Sequence, residues 1–213
     1  MTERVVITGL GAITPLGNDV PTMWDGLLNG RSGVTRVTQF DASDLDVQIA
    51  AEVKGFNPRK SLGRRAVRRN DRFALFALAA AREAVADAGL RFDGAGDGAR
   101  EHVGVLVGTG IGGVLTLLEE YDVLKTRGPE RVSPFMVPKL MPNAASAGIA
   151  IDQGLHGPNF SLNSACATGS HALGEAAALI RRGLADVMIC GGSDAGTHPL
   201  SVSAFANMKA LST

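Results

Sequence analysis

The chain has 213 residues, with 21 Lys+Arg against 21 Asp+Glu, so its formal net charge is +0. That balance gives no general pull toward nucleic acid or an anionic membrane, and no apolar run approaches the ~20 residues needed to span a bilayer. Two cysteines, Cys166 and Cys190, are too few for a disulfide scaffold, and Met1-Thr2-Glu3-Arg4 shows no signal-peptide pattern, so a cytoplasmic α/β protein is expected.

Arg4 to Thr8 is a β-branched run closed by Gly9-Leu10-Gly11 and predicts a buried strand. Its glycines do not make a dinucleotide-binding turn, because Thr14-Pro15-Leu16-Gly17 breaks the helix that fingerprint requires. Pro21 to Leu28 predicts a short helix, with Asp19 as cap and Gly30 as stop. Gln48 to Val53 is a candidate strand. Arg59 to Arg72 carries seven bases and one acid, Asp71. On a helix Arg64, Arg65, Arg68 and Arg69 share a face. Such a face is either a solvated surface or a dock for an acidic partner; nucleic acid is disfavoured by the few aromatics nearby.

Phe73 to Gly89 is the clearest helix, with a small-residue stripe ended by Gly89. Arg91 to Arg100 reads as a polar, glycine-rich loop, and His102 to Val107 as a strand. Gly108-Thr109-Gly110-Ile111-Gly112-Gly113 follows. It lacks the Lys-Ser/Thr ending of a phosphate-binding loop, so a tight strand-to-helix turn lining a pocket is expected. Val114 to Lys125 predicts a helix, Pro134 to Pro142 a proline-punctuated loop, and Asn143 to Gln153 a buried helix of small residues. Ala185 to Cys190 reads as the centre of a parallel sheet, stopped by Gly191-Gly192, with Cys190 an inert core thiol. Pro199 to Leu211 is a last helical stretch. The strand–helix alternation predicts a mixed, mainly parallel sheet covered by helices, with no linker or repeat.

The chemistry centres on Asn159 to His171. A short strand-like run, Asn159 to Asn163, feeds an alanine-rich helical segment, Ala172 to Arg182, and Cys166 sits at the join. Backbone N–H groups at a helix start are unpaired and carry partial positive charge. A thiol placed there is favoured as thiolate, its reactive form. The same amides can hold an oxyanion formed when sulfur attacks a carbonyl. A buried structural cysteine is the alternative reading.

The segments Val5-Val6-Ile7-Thr8-Gly9-Leu10-Gly11, Gly108 to Gly113, Ser133-Pro134-Phe135, Ala165-Cys166-Ala167-Thr168-Gly169, Gly191-Gly192 and Ala210-Leu211-Ser212-Thr213 occur in one register. In that register the chain resembles the β-ketoacyl-acyl carrier protein synthases, most closely the type II branch of bacterial fatty-acid synthesis. The resemblance implies a thiolase-like fold, of which residues 1–213 would be the N-terminal half, and a homodimer. It implies acyl transfer from acyl carrier protein to Cys166, then decarboxylative Claisen condensation with malonyl-acyl carrier protein, with no cofactor and no metal. Ile111, Phe135 and Phe205 match positions of the acyl pocket, Phe135 reaching that of a partner subunit. Arg64, Arg65, Arg68, Arg69 and Lys209 match the basic positions where the acidic carrier docks. Glu130 departs from that pattern, and His171 and His198 are read as packing or surface residues. The family's two catalytic histidines lie in a second half, which His102, His156, His171 and His198 do not replace. Little or no turnover is therefore expected of these 213 residues alone. A polyketide ketosynthase fragment, or a non-catalytic chain-length or assembly partner of a split synthase, is the alternative.

Overall fold

The computed structural model describes residues 4–92 and 100–212. Most of the Arg91 to Arg100 loop, the first three residues and Thr213 lie outside them. The chain divides into two compact units. One runs to Gly11 and resumes over Asn57–Ala195; the other comprises Ala12–Phe56 and Gly196–Thr213.

The larger unit holds the sheet. Strand β3 (Val103–Gly108) is buried at all six positions, and it pairs in parallel with β4 (Asn159–Phe160) on one side and β5 (Val187–Gly192) on the other. A continuous apolar run is what a central parallel strand requires, since helices cover both its faces. Leu106 packs against Ala172 and Ala176 of α7 (Thr168–Arg181), with Leu162, Met188 and Cys190 filling in around them. The pleat turns Val105 to the opposite face, where α6 (Ala144–Gln153) packs. The buried Ser146 hydroxyl of α6 lies 2.9 Å from the Val105 carbonyl and 2.9 Å from that of Phe160, tying the helix to both strands.

Outside α6 runs α3 (Arg72–Asp87), half of whose residues are buried. Asp71 caps it, accepting from Phe73 N, and Gly89 in a left-handed conformation ends it. The second Asp71 oxygen accepts from the amide and hydroxyl of Thr116 on α4 (Val114–Arg127), so one buried carboxylate joins two helices. Arg82 grips Asp152 bidentately at 2.8 and 2.6 Å, fastening α3 to α6. The arginine bonds hold the Asp152 carboxyl below its usual range. That contribution is present at neutral pH and is lost as pH falls through the lowered value.

Several boundaries differ from the sequence reading. Residues 4–10 form no strand: Val6 and Ile7 are 59% and 72% exposed. β-Branched residues favour extended backbone, but a strand also needs a partner, and no described strand pairs with this segment. It lies instead along α3, Leu10 N donating to Asp87, and a Cβ on Gly9 or Gly11 would collide with the α3 backbone. The helix α2 (Pro58–Arg69) is broken at Gly63, whose φ is 84°. The Pro134–Pro142 segment contains a short helix, α5 (Met136–Leu140); Pro138 fits because a first-turn amide needs no intrahelical acceptor. In α6 burial is one-sided, Ile151 being 80% exposed. Gly191 and Gly192 continue β5 rather than stopping it.

The smaller unit begins with α1 (Val20–Leu28), capped by Asp19 as expected, whose carboxylate accepts from Thr22 N. A two-residue antiparallel pair follows, β1 (Thr35–Arg36) with β2 (Ile49–Ala50), shorter than the Gln48–Val53 strand read from sequence. The unit ends in α8 (Pro199–Asn207), for which His198 is the cap, its Nδ1 accepting from Leu200 N.

Candidate active site

The carboxyl ends of the three parallel strands converge on one turn. β4 leads through residues 161–164 into a 3₁₀ turn, Ala165–Ala167, and then directly into α7, which starts four residues earlier than the composition suggests. Ligand sites of open α/β sheets form at this edge. Cys166 is exposed at the centre of the turn. Its amide donates to no acceptor among the described residues, and α7 begins without a side-chain cap. The thiol therefore sits beside its own unpaired amide at the positive end of a fourteen-residue helix.

The turn is strained. Ala165 has φ 51°, a left-handed conformation unfavourable for a residue with a Cβ. Neighbouring groups hold it there. Thr168, 3% exposed, accepts from Ser164 N at 2.9 Å and donates to Ala165 O at 2.8 Å. Asn163 donates to Thr109 O at 2.6 Å. His171, exposed on α7, lies with its Nδ1 2.6 Å from Ser164 Oγ, beside the turn.

Close backbone approach makes the site compact. A Cβ on Gly192 would come within 3.1 Å of Gly169 N, so the end of β5 passes tightly against the first turn of α7. A Cβ on Gly108 would fall under 3.0 Å from Leu162 O and from Thr168 Cγ2. Gly108→Ala is expected to cost about 3 kcal/mol, lowering Tm by roughly 6–12 °C in a chain of this size. A thermal melt by circular dichroism checks it; an unchanged Tm would show that β3 and the Cys166 turn are loosely joined.

After β3, the loop bearing Ile111 is pinned by Asp194. Its carboxylate accepts from Thr109 Oγ1 (2.8 Å), Gly110 N (2.9 Å) and Ile111 N (3.2 Å). Gly110 in turn lies against Ala165. Ile111 is therefore held near the Cys166 turn with its side chain 46% exposed. Asp194 and Thr168 escaped the sequence reading. Asp194 stands 85 residues from Thr109, and only the pairing of β5 with β3 brings them together.

Cys190 behaves as expected of a core thiol. It is half-buried against Leu106 and α7, and burial pushes its pKa up. Phe135 lies at the foot of α5, with the Arg68 guanidinium 5.1 Å and that of Arg69 5.7 Å from its ring centroid. Arg64 and Arg65 are exposed on the same half of α2. Phe205 and Lys209 belong to the smaller unit, Phe205 on α8 at 41% exposure and Lys209 just beyond it at φ 58°. Among the described residues no group of three or more His, Cys, Asp or Glu side chains could hold a metal ion, and no helix is long and apolar enough to cross a membrane.

A parallel sheet covered by helices, with an exposed cysteine at a strained strand-to-helix turn, describes an α/β domain of thiolase-like fold. Residues 2–213 match the family described as beta-ketoacyl synthase, N-terminal domain, and the chain belongs to that family. It is 45% identical over 210 residues to a 3-oxoacyl-[acyl-carrier-protein] synthase 2 of Synechocystis sp., and 46% identical over 211 residues to that of Coxiella burnetii. Each alignment covers 99% of this chain and 50% of the relative, so the chain spans about half the length of the curated relatives it matches. Among solved structures, the ishigamide ketosynthase/chain length factor superposes with a TM-score of 0.83 at 31% identity, over 97% of this chain and 51% of the other. A β-ketoacyl synthase from Burkholderia phymatum gives 0.80 at 27% identity, over 98% and 50%.

Proposed function

We propose that this chain is the nucleophile-bearing half of an elongating condensing enzyme of fatty-acid synthesis, working in the cytoplasm within a homodimer. The observation that carries this reading is the exposed Cys166 with its unpaired amide, inside a family match that runs along the chain. The Cys166 sulfur attacks the thioester carbonyl of an acyl-carrier protein. The new S–C bond forms, the carbonyl oxygen becomes an oxyanion held by the Cys166 amide, and the carrier's C–S bond breaks to expel its thiolate. That thiolate ends as the thiol by taking up the one proton that the Cys166 thiol gives up. In the second half-reaction malonyl-carrier protein loses carbon dioxide. The electron pair of the broken C–C bond attacks the Cys166 thioester, and the Cys166 thiolate leaves. Ile111 and Phe205 are assigned to the acyl chain, and Arg64, Arg65, Arg68, Arg69 and Lys209 to the acidic carrier. Phe135 is assigned, as the resemblance implies, to the acyl pocket of a partner subunit; in its own chain the Arg68 and Arg69 guanidinium groups lie over its ring, so it also steadies the proposed carrier dock.

A polyketide ketosynthase is the second reading, favoured by the likeness to the ishigamide ketosynthase/chain length factor. The retained Cys166 weighs against a purely non-catalytic partner. Incubation with octanoyl-carrier protein, followed by peptide mass spectrometry, tests the proposal. The expected result is an octanoyl adduct on Cys166, none on Cys190, and no condensation product when malonyl-carrier protein is added to these 213 residues alone. Equal modification of Cys190 would overturn the assignment of the nucleophile. Robust condensation would overturn the view that the remaining catalytic groups lie in a second half.

A further inference from the structure

The Cys166 turn poses a physical problem that the nucleophile does not solve for itself. Ala165 is held at φ 51° although it has a Cβ. It is followed by a 3₁₀ turn of only three residues. Such a conformation persists only where its surroundings over-determine it. Ala165 O accepts from the Thr168 backbone N–H, and the Thr168 hydroxyl adds a second bond there and is the group that reaches across to Ser164. The hydroxyl accepts from Ser164 N, before the strained residue, and donates to Ala165 O, the carbonyl of the peptide that carries the Cys166 amide. Two donors on that carbonyl, the Thr168 N–H and its hydroxyl, fix the plane of the Ala165–Cys166 peptide more tightly than the backbone bond alone, and with it the direction of the Cys166 N–H. The side chain is 3% exposed, so water does not readily replace it.

We infer that Thr168 is a positioning residue for Cys166: its hydroxyl locks the left-handed Ala165 so that the Cys166 amide is aimed as an oxyanion donor on the side where the thiol is exposed. This goes beyond naming Cys166 as nucleophile, and it rests on the reading that Cys166 takes an acyl group. Neither bond needs a charged partner, and both ends of the bracket are backbone groups. The requirement is therefore for a hydroxyl at 168, and a β-branched side chain of the same shape does not meet it. The threonine methyl has a separate task, packing against Gly108.

The test compares Thr168→Val, which keeps the shape and removes the hydroxyl, with Thr168→Ser, which keeps the hydroxyl. Two rates are read on Cys166 by mass spectrometry. One is acylation by a small octanoyl thioester, which passes through an oxyanion. The other is alkylation by iodoacetamide, which does not. Loss of one oxyanion donor slows acyl transfer by about 10²–10³, and a misaimed donor by somewhat less. Thr168→Val is expected to slow acylation roughly 10–100-fold while alkylation stays within about threefold, and Thr168→Ser to return acylation to within about threefold of the parent. Acylation by Thr168→Val within threefold of the parent would overturn the proposal. So would a parallel loss of both rates that serine does not rescue, which is the signature of a merely structural residue. If Thr168→Val does not fold, Thr168→Ala against Thr168→Ser reads the hydroxyl in the same way. Should the parent alkylate but never acylate, the reading of Cys166 as acyl carrier fails before any variant is compared, and the proposal falls with it.

Discussion

Cys166→Ala is expected to slow acyl transfer onto the protein by at least a thousandfold, equivalent to about 4 kcal/mol of transition-state stabilisation. In the proposed reaction the sulfur forms the new bond, so its removal leaves only the amide and the binding of the carrier. Cys166→Ser separates nucleophilicity from geometry: it keeps a donor of similar shape at the same turn but a far weaker nucleophile, and falls between the two. The fold is not expected to suffer. The thiol is exposed and bridges nothing, so Tm should stay within about 2 °C. Intact-protein mass spectrometry after incubation with octanoyl-carrier protein reads the outcome directly. An adduct that persists in Cys166→Ala would place the acyl group on another side chain. Cys190 is the test of that alternative, and burial, which raises its pKa, keeps it as the unreactive thiol.

The elements legible in the sequence are those whose signal is local. α3 has a capping Asp71, a stripe of small apolar residues and Gly89, all within nineteen consecutive positions, and it formed almost as read. β3 announces itself by an apolar run, and Cys166 by its place between a strand and a helix. What escaped depends on partners far along the chain. Residues 4–8 carry strand propensity, yet propensity supplies no ladder. Gly191 and Gly192 read as a stop, yet they extend β5 because they pair with Val107 and Gly108 of β3. Gly63 sits in an arginine-rich helix, where glycine costs only about 1 kcal/mol relative to alanine. That cost does not reveal whether the helix tolerates it or, as here, breaks. Asp194 and Thr168 show the same limit at the site. Their residue types are ordinary, and their roles appear only when Thr109 and Ala165 are seen beside them.

The second large effect is expected at the basic helix. Arg59, Lys60, Arg64, Arg65, Arg68 and Arg69 are all exposed, and none forms an ion pair among the described residues. The break at Gly63 leaves Arg64 to Arg69 on one short helical segment, so their three- and four-residue spacing still places them on a common face. Phe135 underlies two of them, restricting Arg68 and Arg69 by cation–π contact worth roughly 0.5–1 kcal/mol each at an exposed site. An unpaired, partly ordered cationic face suits an acidic partner, because the usual entropy of fixing long side chains is already reduced. Reversing both charges, Arg68→Glu with Arg69→Glu, removes two attractions and adds two repulsions. The expected result is a KM for octanoyl-carrier protein raised about 100-fold at low salt, close to 3 kcal/mol. The gap to the parent should narrow as ionic strength rises, since exposed charges are screened beyond about 10 Å at 0.1 M salt. Acylation by a small octanoyl thioester should stay within about twofold, because that substrate never touches α2. Phe135→Leu should raise the carrier KM only about threefold, leaving the charges in place but less ordered. Equal losses with carrier-bound and small thioesters would show that α2 acts through the fold, and the docking assignment would then be abandoned.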